Sequence, residues 1–556
     1  MRKQFHLSDL VDKKISYEEI KGIIAEELVN IEEISMVAQI INLYYEKVQY
    51  KEDFDNDYEN IDNNDIGRVY AFIKRNRIPV QLDYINCLKC EESFNIVNLD
   101  ADVILLYGDN NSREAAYIVA KKVKQIKEDS IIGMSGRFAT EAFNPILDDC
   151  KELDFILLGY PEYPFLEVIN GMEKGFTIEK IIGDSQNIVG QNIREGKVFC
   201  NTDINLLPWA DRSYLKFEHG MTAYLCGSHG CMGNCSFCRI SNHYLKWSGR
   251  SPQDIANEII HIYEEKGVKF FALKDCSMED PGDVGKERLK QLCLALLEYP
   301  VRFGFRGYIR AESFKDIPED IEIIKLMYEA GFRVVLIGLE AGNDEDLIYY
   351  NKRARVKDNE EALRIFKMCG IDPIFGFIMM NPHSDAARLK ANYEFLVKHR
   401  GFHFDDYINA LRIFYNTPIF HQLKEEGLLE DSMDYKEYYN YEFRDPYVRV
   451  IFQFLRDYFH NKKDITVKDL NFWDFIHLYY RMKSTVGDLG TITDEIEALK
   501  DKLADRMGEY FEPLYMRGNI EECKTNYPQF KKDMLALYDE AERLKLRLIK
   551  IQIKSL

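Results

Sequence analysis

The stretch from residue 221 to residue 247, MTAYLCGSHGCMGNCSFCRISNHYLKW, constrains the chain more than any other. Its first part, MTAYLCG, is apolar and predicts a buried strand. A glycine-rich loop follows, in which Cys231, Cys235 and Cys238 are spaced as C-x3-C-x2-C. Thiolates are soft ligands that suit zinc or an iron–sulfur cluster. Three cysteines leave one iron of a four-iron cluster open, and an open iron makes the site chemical as well as structural.

A zinc knuckle or a group of buried thiols is the competing interpretation of the same loop. A structural zinc site needs a fourth ligand, and Cys226, His229 and His243 are near enough in sequence to supply one. The pattern downstream of the loop favours the cluster.

Strand-like runs alternate with helical segments from residue 221 to about residue 415. Six such units predict an incomplete (β/α)6 barrel, in which functional side chains lie at the carboxyl ends of the strands. The predicted strands are MTAYLCG, VKFFALKD, RFGFRGYI, RVVLIGLE, DPIFGFIMM and YINALRIF. The polar and flexible side chains at their ends are Asp275, Arg310, Glu312, Glu340, Met379, Met380 and Asn381.

An α/β domain is expected ahead of the barrel, at residues 67–200. The apolar runs NIVNLD, DVILLYGD, SIIGMSG and DFILLGY alternate with amphipathic helical segments, which predicts a doubly wound, Rossmann-like parallel sheet. Ligands of such sheets bind outside the carboxyl ends of the strands. The G-x-G-x-x-G fingerprint is absent, which disfavours a nicotinamide cofactor. The candidate ligand residues are Tyr107, Gly108, Ser135, Gly136, Gly159, Tyr160 and Glu162.

The remaining segments have less specific patterns. Residues 1–66 are expected to form a helical extension, with helices within 15–48, and an acidic linker. Residues 201–220 read as a connector. Residues 416–556 are helical and rich in aromatic residues, and we expect them to form a lid over the open side of the barrel.

Composition narrows the partners and the compartment. The formal net charge of −20 argues against nucleic acid as the main partner, because phosphate contacts need clustered Lys and Arg. No apolar run is long enough to span a bilayer, and the start has no apolar core of signal-peptide length. We therefore expect a cytoplasmic protein, in a compartment where its cysteines stay reduced.

The cysteine loop resembles that of the radical S-adenosylmethionine (SAM) enzymes, which carry C-x3-C-x2-C after the first strand of a partial barrel. This resemblance implies that Cys231, Cys235 and Cys238 hold a [4Fe–4S] cluster whose open iron binds SAM. It also implies a 5′-deoxyadenosyl radical and an external electron donor such as flavodoxin or ferredoxin. The positions that match SAM-contacting or recurrent positions of the family are Phe237, Arg250, Asp275, Arg310, Glu340 and Met379.

The α/β domain is similar to the cobalamin-binding domain that precedes some radical SAM barrels, on the stretches DVILLYGD, IIGMSGRFAT and FILLGYPEYPFLEVI. It departs at Ser135-Gly136 and Tyr160-Pro161, where that family carries glycines and Gly-Glu-Gly-Glu. The domain contains no histidine, so bound cobalamin would have no histidine ligand from it. A sheet domain that only recruits substrate is the alternative.

The combined resemblance implies a cobalamin-dependent radical SAM methyltransferase acting on an unactivated carbon of a peptide or small natural product. One alternative is a cobalamin-binding relative that performs ring contraction, cyclisation or another rearrangement. Another, from a different class, is a non-catalytic iron–sulfur scaffold. The scaffold would not convert SAM to 5′-deoxyadenosine.

Overall fold

The computed structural model describes residues 36–44, 64–87, 92–196, 203–213, 215, 221–240, 247–429, 441–460, 467, 470 and 472–554. Two α/β units and a helical C-terminal region follow one another along this part of the chain. The helices predicted within 15–35 and most of the acidic linker lie outside the described residues.

The first unit is a six-stranded sheet in the order β2-β1-β3-β4-β5-β6. The first five strands are parallel, and β6 is antiparallel to β5. Because β1 has β2 on one side and β3 on the other, the strand order reverses there, and this is where doubly wound sheets bind ligands. The strands are β1 (Ala38–Tyr44), β2 (Val80–Asn86), β3 (Val103–Tyr107), β4 (Ile131–Ser135), β5 (Phe155–Leu157) and β6 (Ile188–Gly190).

Helices cover both faces of this sheet and bury two separate hydrophobic clusters against it. The central strands are apolar at nearly every position because both of their faces are covered. The doubly wound prediction is confirmed. The helices are α1 (Asn64–Arg75), α2 (Arg113–Ile126), α3 (Arg137–Glu141), α4 (Phe143–Asp149), α5 (Glu162–Glu173) and α6 (Ile178–Asp184).

Two sequence predictions for this unit are wrong. Ala38–Tyr44 was expected to be helical but forms a strand, and the sheet therefore reaches beyond the predicted domain start at residue 67. Its backbone pairs with β2 on one side and with β3 on the other. These non-local contacts override the helical periodicity of its apolar residues. The run NIVNLD was expected to be a strand, but its beginning lies in the short 3-10 helix Glu92–Ile96, and β2 forms the sheet edge instead.

The second unit is the partial barrel, built from two three-stranded parallel sheets in the orders β11-β10-β7 and β12-β13-β14. A short antiparallel pair, β8 with β9, lies beside it. The strands are β7 (Thr222–Leu225), β8 (Ser228–His229), β9 (Ser248–Gly249), β10 (Phe270–Leu273), β11 (Gly304–Arg306), β12 (Tyr308–Arg310), β13 (Val334–Glu340) and β14 (Asp372–Phe377).

The third and sixth predicted strands differ from expectation. The third is divided at Gly307, where a Cβ would lie 2.3 Å from the sulfur of Met278, and its halves β11 and β12 belong to different sheets. The sixth, YINALRIF, contains the end of the helix Phe404–Ile408 and a single parallel bridge between Met380 and Ala410. The other four predicted strands are confirmed.

The crossover helices lie where the sequence predicts them. Two of them end on glycines in the left-handed conformation, Gly267 and Gly331, as helix C-termini often do. The helices are α7 (Pro252–Lys266), α8 (Gly282–Leu297), α9 (Pro318–Ala330), α10 (Asp344–Tyr349), α11 (Val356–Met368), α12 (Ala386–Lys398), α13 (Phe404–Ile408) and α14 (Pro418–Glu425).

The C-terminal region is helical. Helix α16 runs along β11, because a Cβ on Gly304 would lie 2.5 Å from the Cβ of Ser484 and Nη1 of Arg306 lies 3.1 Å from Nδ1 of His477. The lid over the open side of the barrel stays a prediction. The helices of the region are α15 (Pro446–Leu455), α16 (Phe472–Thr485), α17 (Thr491–Arg517) and α18 (Ile520–Lys554). Within the described residues, no helix is long and apolar enough to cross a bilayer.

Candidate active site between the two α/β units

The loop after β7, residues 226–240, carries the three cysteines and is here named the cluster loop. The barrel holds its backbone at several places, two of which lie in the cysteine segment. The N–H of Met232 donates to Oδ2 of Asp280 at 2.8 Å, and the N–H of Ser236 donates to the carbonyl of Tyr350 at 2.8 Å. Gly230 has a φ of 81°, which only glycine adopts without strain, and it turns the chain just before Cys231. The loop is thus fixed at the carboxyl ends of the strands.

The three cysteines are partly buried thiols. Burial raises the pKa of each thiol, that of Cys235 to about 11, so all three are neutral at pH 7. In the described part of the chain, no three His, Cys, Asp or Glu side chains are arranged to hold a metal ion. Ligation requires thiolates, so a metal that binds here must displace three protons. Three soft donors within eight residues fit a [4Fe–4S] cluster by their chemistry.

Asp275, at the end of β10, fixes the start of the cluster loop. Its Oδ1 accepts the N–H of Gly227 at 2.7 Å, and its Oδ2 accepts the Ser228 hydroxyl at 2.6 Å. Arg288 lies 3.2 Å from Oδ2, and the carboxylate is fully buried. Both oxygens thus already have partners in the chain, and the contact of Asp275 with SAM stays a prediction.

Arg310 lies against the cysteine segment of the loop. A Cβ on Gly233 would lie 3.2 Å from the sulfur of Cys231 and 3.8 Å from Cδ of Arg310. Nη2 of Arg310 donates to Asp280 at 2.7 Å, while its Nε and Nη1 are buried and make no hydrogen bond within the described residues. Glu312 is 3.8 Å from Nη1, beyond hydrogen-bond distance. Nε lies 3.6 Å from Oε1 of Glu279, so three carboxylates surround the guanidinium. The N–H groups on Nε and Nη1 make no hydrogen bond within the described residues and can donate to an anionic group of a ligand.

Glu340 ends β13 and is paired with Lys352 across 2.9 Å. Arg310 and Glu340, which carry opposite charges at neighbouring strand ends, do not pair with each other, because Arg310 pairs with Asp280 and Glu340 with Lys352. Burial disfavours the charged form of Lys352, but Glu340 and the nearby Cys235 raise its pKa above the usual value. Lys352 therefore places a cation close to the cysteines.

The remaining barrel candidates have packing roles. Met379 and Met380 are fully buried in the main hydrophobic cluster, and the SAM contact of Met379 stays a prediction. The ring of Phe237 packs edge-on against Tyr350, with centroids 5.4 Å apart. Arg250 donates to Glu258 at 2.5 Å, within a buried ion pair behind the site.

At the edge of the first sheet, the structure brings five of the predicted ligand residues together. Tyr107 and Ser135 are paired in register, and a Cβ on Gly136 would lie 2.8 Å from the carbonyl of Gly108. The Thr140 hydroxyl joins the two neighbouring loops, because it donates to the carbonyl of Gly136 and accepts the N–H of Gly159, both at 3.0 Å. The buried hydroxyl of Ser135 makes no hydrogen bond within the described residues, so it is available to a ligand.

The other two predicted ligand residues face the barrel. Glu162 is fully buried, and its Oε1 accepts from Nε of Arg68 at 2.5 Å. The Tyr160 ring stacks on the ring of His229 with centroids 4.2 Å apart, and Nη1 of Arg68 lies 3.1 Å from Nε2 of His229. Glu162 retains a buried Oε2 without a hydrogen bond in the described part of the chain.

Sequence reasoning missed several residues that build this junction. Asp280 lies in the acidic run DCSMEDPG just after β10. Its place near the carboxyl end of a barrel strand could have identified it as a candidate site residue. Arg239 follows the last cluster cysteine and forms an ion pair with Glu141 at 2.7 Å. Arg68 and Lys352 lie far from any motif and carry no comparable signal.

Comparison with known proteins agrees with this geometry. Residues 225–396 match the model of the Radical SAM superfamily. An anaerobic magnesium-protoporphyrin IX monomethyl ester cyclase of Synechocystis sp. is 27% identical over 276 residues, which are 48% of this chain and 54% of that protein. An uncharacterized methyltransferase of Pyrococcus horikoshii is 24% identical over 309 residues, covering 54% of this chain and 65% of that protein. The match thus spans about half to two-thirds of these relatives.

The solved structure of OxsB, a cobalamin-dependent SAM radical enzyme with aqua-cobalamin and SAM bound, has the same fold. The TM-score is 0.68 at 16% identity, over 94% of this chain and 81% of that one. The chain therefore contains a radical SAM domain, within an overall fold that it shares with a cobalamin-dependent radical SAM enzyme.

Proposed function

We propose that this chain is a cobalamin-dependent radical SAM enzyme that methylates an unactivated carbon of a peptide or natural-product substrate. The observation that carries the proposal is the junction itself. The ligand edge of the first sheet contacts the cluster loop through His229 and Arg239, so two cofactor sites lie side by side. The shared fold with OxsB supports this cofactor set, because that structure contains both cobalamin and SAM.

The residues suit these cofactors in different ways. Cys231, Cys235 and Cys238 would hold the cluster, and the unused Nε and Nη1 of Arg310 suit the carboxylate of SAM. At the sheet edge, Ser135 offers an unused hydroxyl, and Gly136 leaves the backbone open to close approach.

When bound, the cluster and SAM supply a species that abstracts hydrogen, and cobalamin supplies a methyl carrier. The chain contributes position and exclusion of water. Asp275 and Asp280 hold the cluster loop, and the paired Lys352 sets a positive charge beside the cysteines. An external donor such as flavodoxin or ferredoxin would deliver the electron.

A second candidate is a rearrangement or cyclisation without methyl transfer. The specific observation that favours it is the match to the magnesium-protoporphyrin cyclase, whose name describes ring closure. Both candidates predict SAM cleavage, and they differ in the fate of the SAM methyl group.

The test uses the full chain, reconstituted anaerobically with iron and sulfide and loaded with hydroxocobalamin. It is incubated with a strong reductant and SAM that carries a trideuterated methyl group. A methylase produces 5′-deoxyadenosine and transfers the label to the corrinoid. A cyclase produces 5′-deoxyadenosine without label transfer, which would exclude methylation and favour the second candidate. If the wild-type protein forms no 5′-deoxyadenosine, both candidate functions are contradicted. A Cys235→Ala variant provides the inactive control.

A further inference from the structure

The cluster loop is attached to the first α/β unit at both of its ends. His229 lies two residues before Cys231, and Arg239 directly follows Cys238. Both side chains contact residues of the first α/β unit: His229 packs against Tyr160, and Arg239 pairs with Glu141. The cysteine segment therefore lies between two contacts with that unit.

The contact of Arg239 is a two-point ion pair with Glu141. Nε of Arg239 lies 2.8 and 2.9 Å from the two carboxylate oxygens, and Nη2 lies 2.7 Å from one of them. The Glu141 side chain is 3% exposed, and the guanidinium lies 4.6 Å from the ring centroid of Phe414. The planar guanidinium of Arg239 contacts both carboxylate oxygens of Glu141 and one aromatic ring. These contacts allow Arg239 little movement relative to Glu141.

The contact of His229 is a stack with a charged neighbour. Its ring is nearly parallel to that of Tyr160, at an angle of 18°, and Arg68 joins it to Glu162. Arg68 and Glu162 are both buried, so displacing one member disturbs the others.

The two contacts originate in the loops that carry the predicted cobalamin residues. Glu141 ends α3, which begins after Gly136, and Tyr160 follows Gly159. The Thr140 hydroxyl ties these loops together. A ligand that shifts either loop must therefore shift Arg239 or His229, and with it a cluster cysteine one or two residues away.

We propose that the Glu141–Arg239 and Tyr160–His229 contacts couple corrinoid occupancy to the shape of the cluster loop, so that cobalamin and SAM each strengthen binding of the other. This inference rests on the proposed function. Arg239 and His229 act here as positioning residues, since they work through the cysteines beside them. Coupling of two binding sites is reciprocal, so cobalamin and SAM must change one another's affinity by the same factor.

The experiment measures SAM affinity of the reconstituted full chain with and without saturating hydroxocobalamin, and cobalamin affinity with and without SAM. In wild type we expect about a tenfold gain in each direction, within the usual range of coupling between sites. In Arg239→Gln and in the isosteric Glu141→Gln the gain falls below about twofold, while each ligand alone still binds. Arg239→Lys keeps the charge but not the fork and retains part of the gain. His229→Ala tests the second contact independently.

A spectroscopic readout separates positioning from general damage. Addition of cobalamin should alter the electron paramagnetic resonance spectrum of the reduced cluster in wild type but not in Arg239→Gln. The matched control is Lys124→Gln, which breaks a half-buried ion pair with Asp154 on the same unit, away from the junction, and should keep the wild-type gain. Circular dichroism checks that each variant is folded.

The outcomes distinguish this inference from the proposed function. If wild type binds both ligands independently, with no change in either affinity, the coupling is overturned and the proposed function stands. If the gain persists in both Arg239→Gln and His229→Ala, these residues do not carry it and the inference is overturned. If wild type binds no cobalamin at all, the proposed function itself fails.

Discussion

The guanidinium of Arg310 and the carboxylate of Asp280 meet at 2.7 Å, and the other oxygen of Asp280 holds the backbone of Met232 at 2.8 Å. One carboxylate thus ties a barrel strand to the cysteine segment. It also leaves two N–H groups of Arg310 unused beside Cys231, and this relationship makes Arg310 the strongest SAM-binding candidate among the barrel residues.

Replacing Arg310 separates its binding role from its structural role. Arg310→Met removes the donors and leaves the fully buried Asp280 without its cation, so we expect a loss of about 3–5 kcal/mol of folding free energy. SAM affinity should fall at least about tenfold, since a hydrogen bond to a charged group contributes roughly 1.5–3 kcal/mol. The double variant Asp280→Asn with Arg310→Met should regain part of the stability but none of the affinity. Restored SAM affinity in the double variant would contradict a direct contact.

Each cluster cysteine should be indispensable for iron. In Cys231→Ala, Cys235→Ala and Cys238→Ala, we expect reconstituted iron to fall well below about four per chain, because cysteine thiolates hold such clusters. SAM cleavage should disappear with it. The control is Cys369→Ala, a half-buried thiol outside the loop, which should retain iron and activity. Iron content by colorimetric assay and 5′-deoxyadenosine by mass spectrometry provide the readouts.

Glu258 should stabilise the junction through its two arginines. It accepts from Arg212 at 2.8 Å and from Arg250 at 2.5 Å, and all three side chains are buried. Glu258→Gln leaves both cations short of a partner and should cost about 3–5 kcal/mol in denaturant unfolding. Glu287→Gln, on the exposed face of α8, is the control and should cost little.

The same carboxylate should make stability depend on pH. Burial works against the charged form of Glu258, but the two arginines outweigh it and lower its pKa. A lowered pKa in the folded state stabilises the protein above the unfolded value of about 4.3, and this contribution disappears as pH falls through the folded value. The stability difference between wild type and Glu258→Gln should therefore shrink below about pH 4. A constant difference from pH 7 to pH 3 would contradict this assignment.

Asp406 should make the stability of the protein depend on pH in the opposite direction to Glu258. It is fully buried in the C-terminal part of the barrel, its Oδ2 makes no hydrogen bond in the described part of the chain, and burial raises its pKa well above the ordinary value. Its favourable contribution is present below about pH 3.9 and is lost as pH rises through the raised value. We expect Asp406→Asn to be more stable than wild type at pH 8, by about 1–3 kcal/mol, and the two to converge near pH 4. Thermal melts across this range test it, with the exposed Asp539→Asn as control.

The sequence predicted those parts of the fold that rest on local pattern. The cysteine loop, the alternation of buried strands with amphipathic helices, and the glycines at the sheet edge are all readable from neighbouring residues. The strand Ala38–Tyr44 was missed because its conformation depends on β2 and β3, which are distant in sequence. The division of the third barrel strand depends on Met278 filling the space beside Gly307.

The electrostatic partners at the site were less predictable than the ligands. Arg310 and Glu340 both stood at strand ends, but nothing in the sequence indicates that they pair with Asp280 and Lys352 and not with each other. Ion pairing is decided by side-chain placement at ångström scale, which residue spacing does not encode. The same limit applies to Asp275, whose oxygens hold the start of the cluster loop.

We propose that one chain binds an iron–sulfur cluster, SAM and cobalamin at the junction of its two α/β units. The most direct measurement is the cofactor content of anaerobically reconstituted protein, after exposure to hydroxocobalamin and SAM and removal of unbound ligand. We predict about four irons and one tightly bound cobalamin per chain, with 5′-deoxyadenosine formed on reduction. Iron and 5′-deoxyadenosine without cobalamin would contradict the claim, and would leave the first sheet as a platform for substrate.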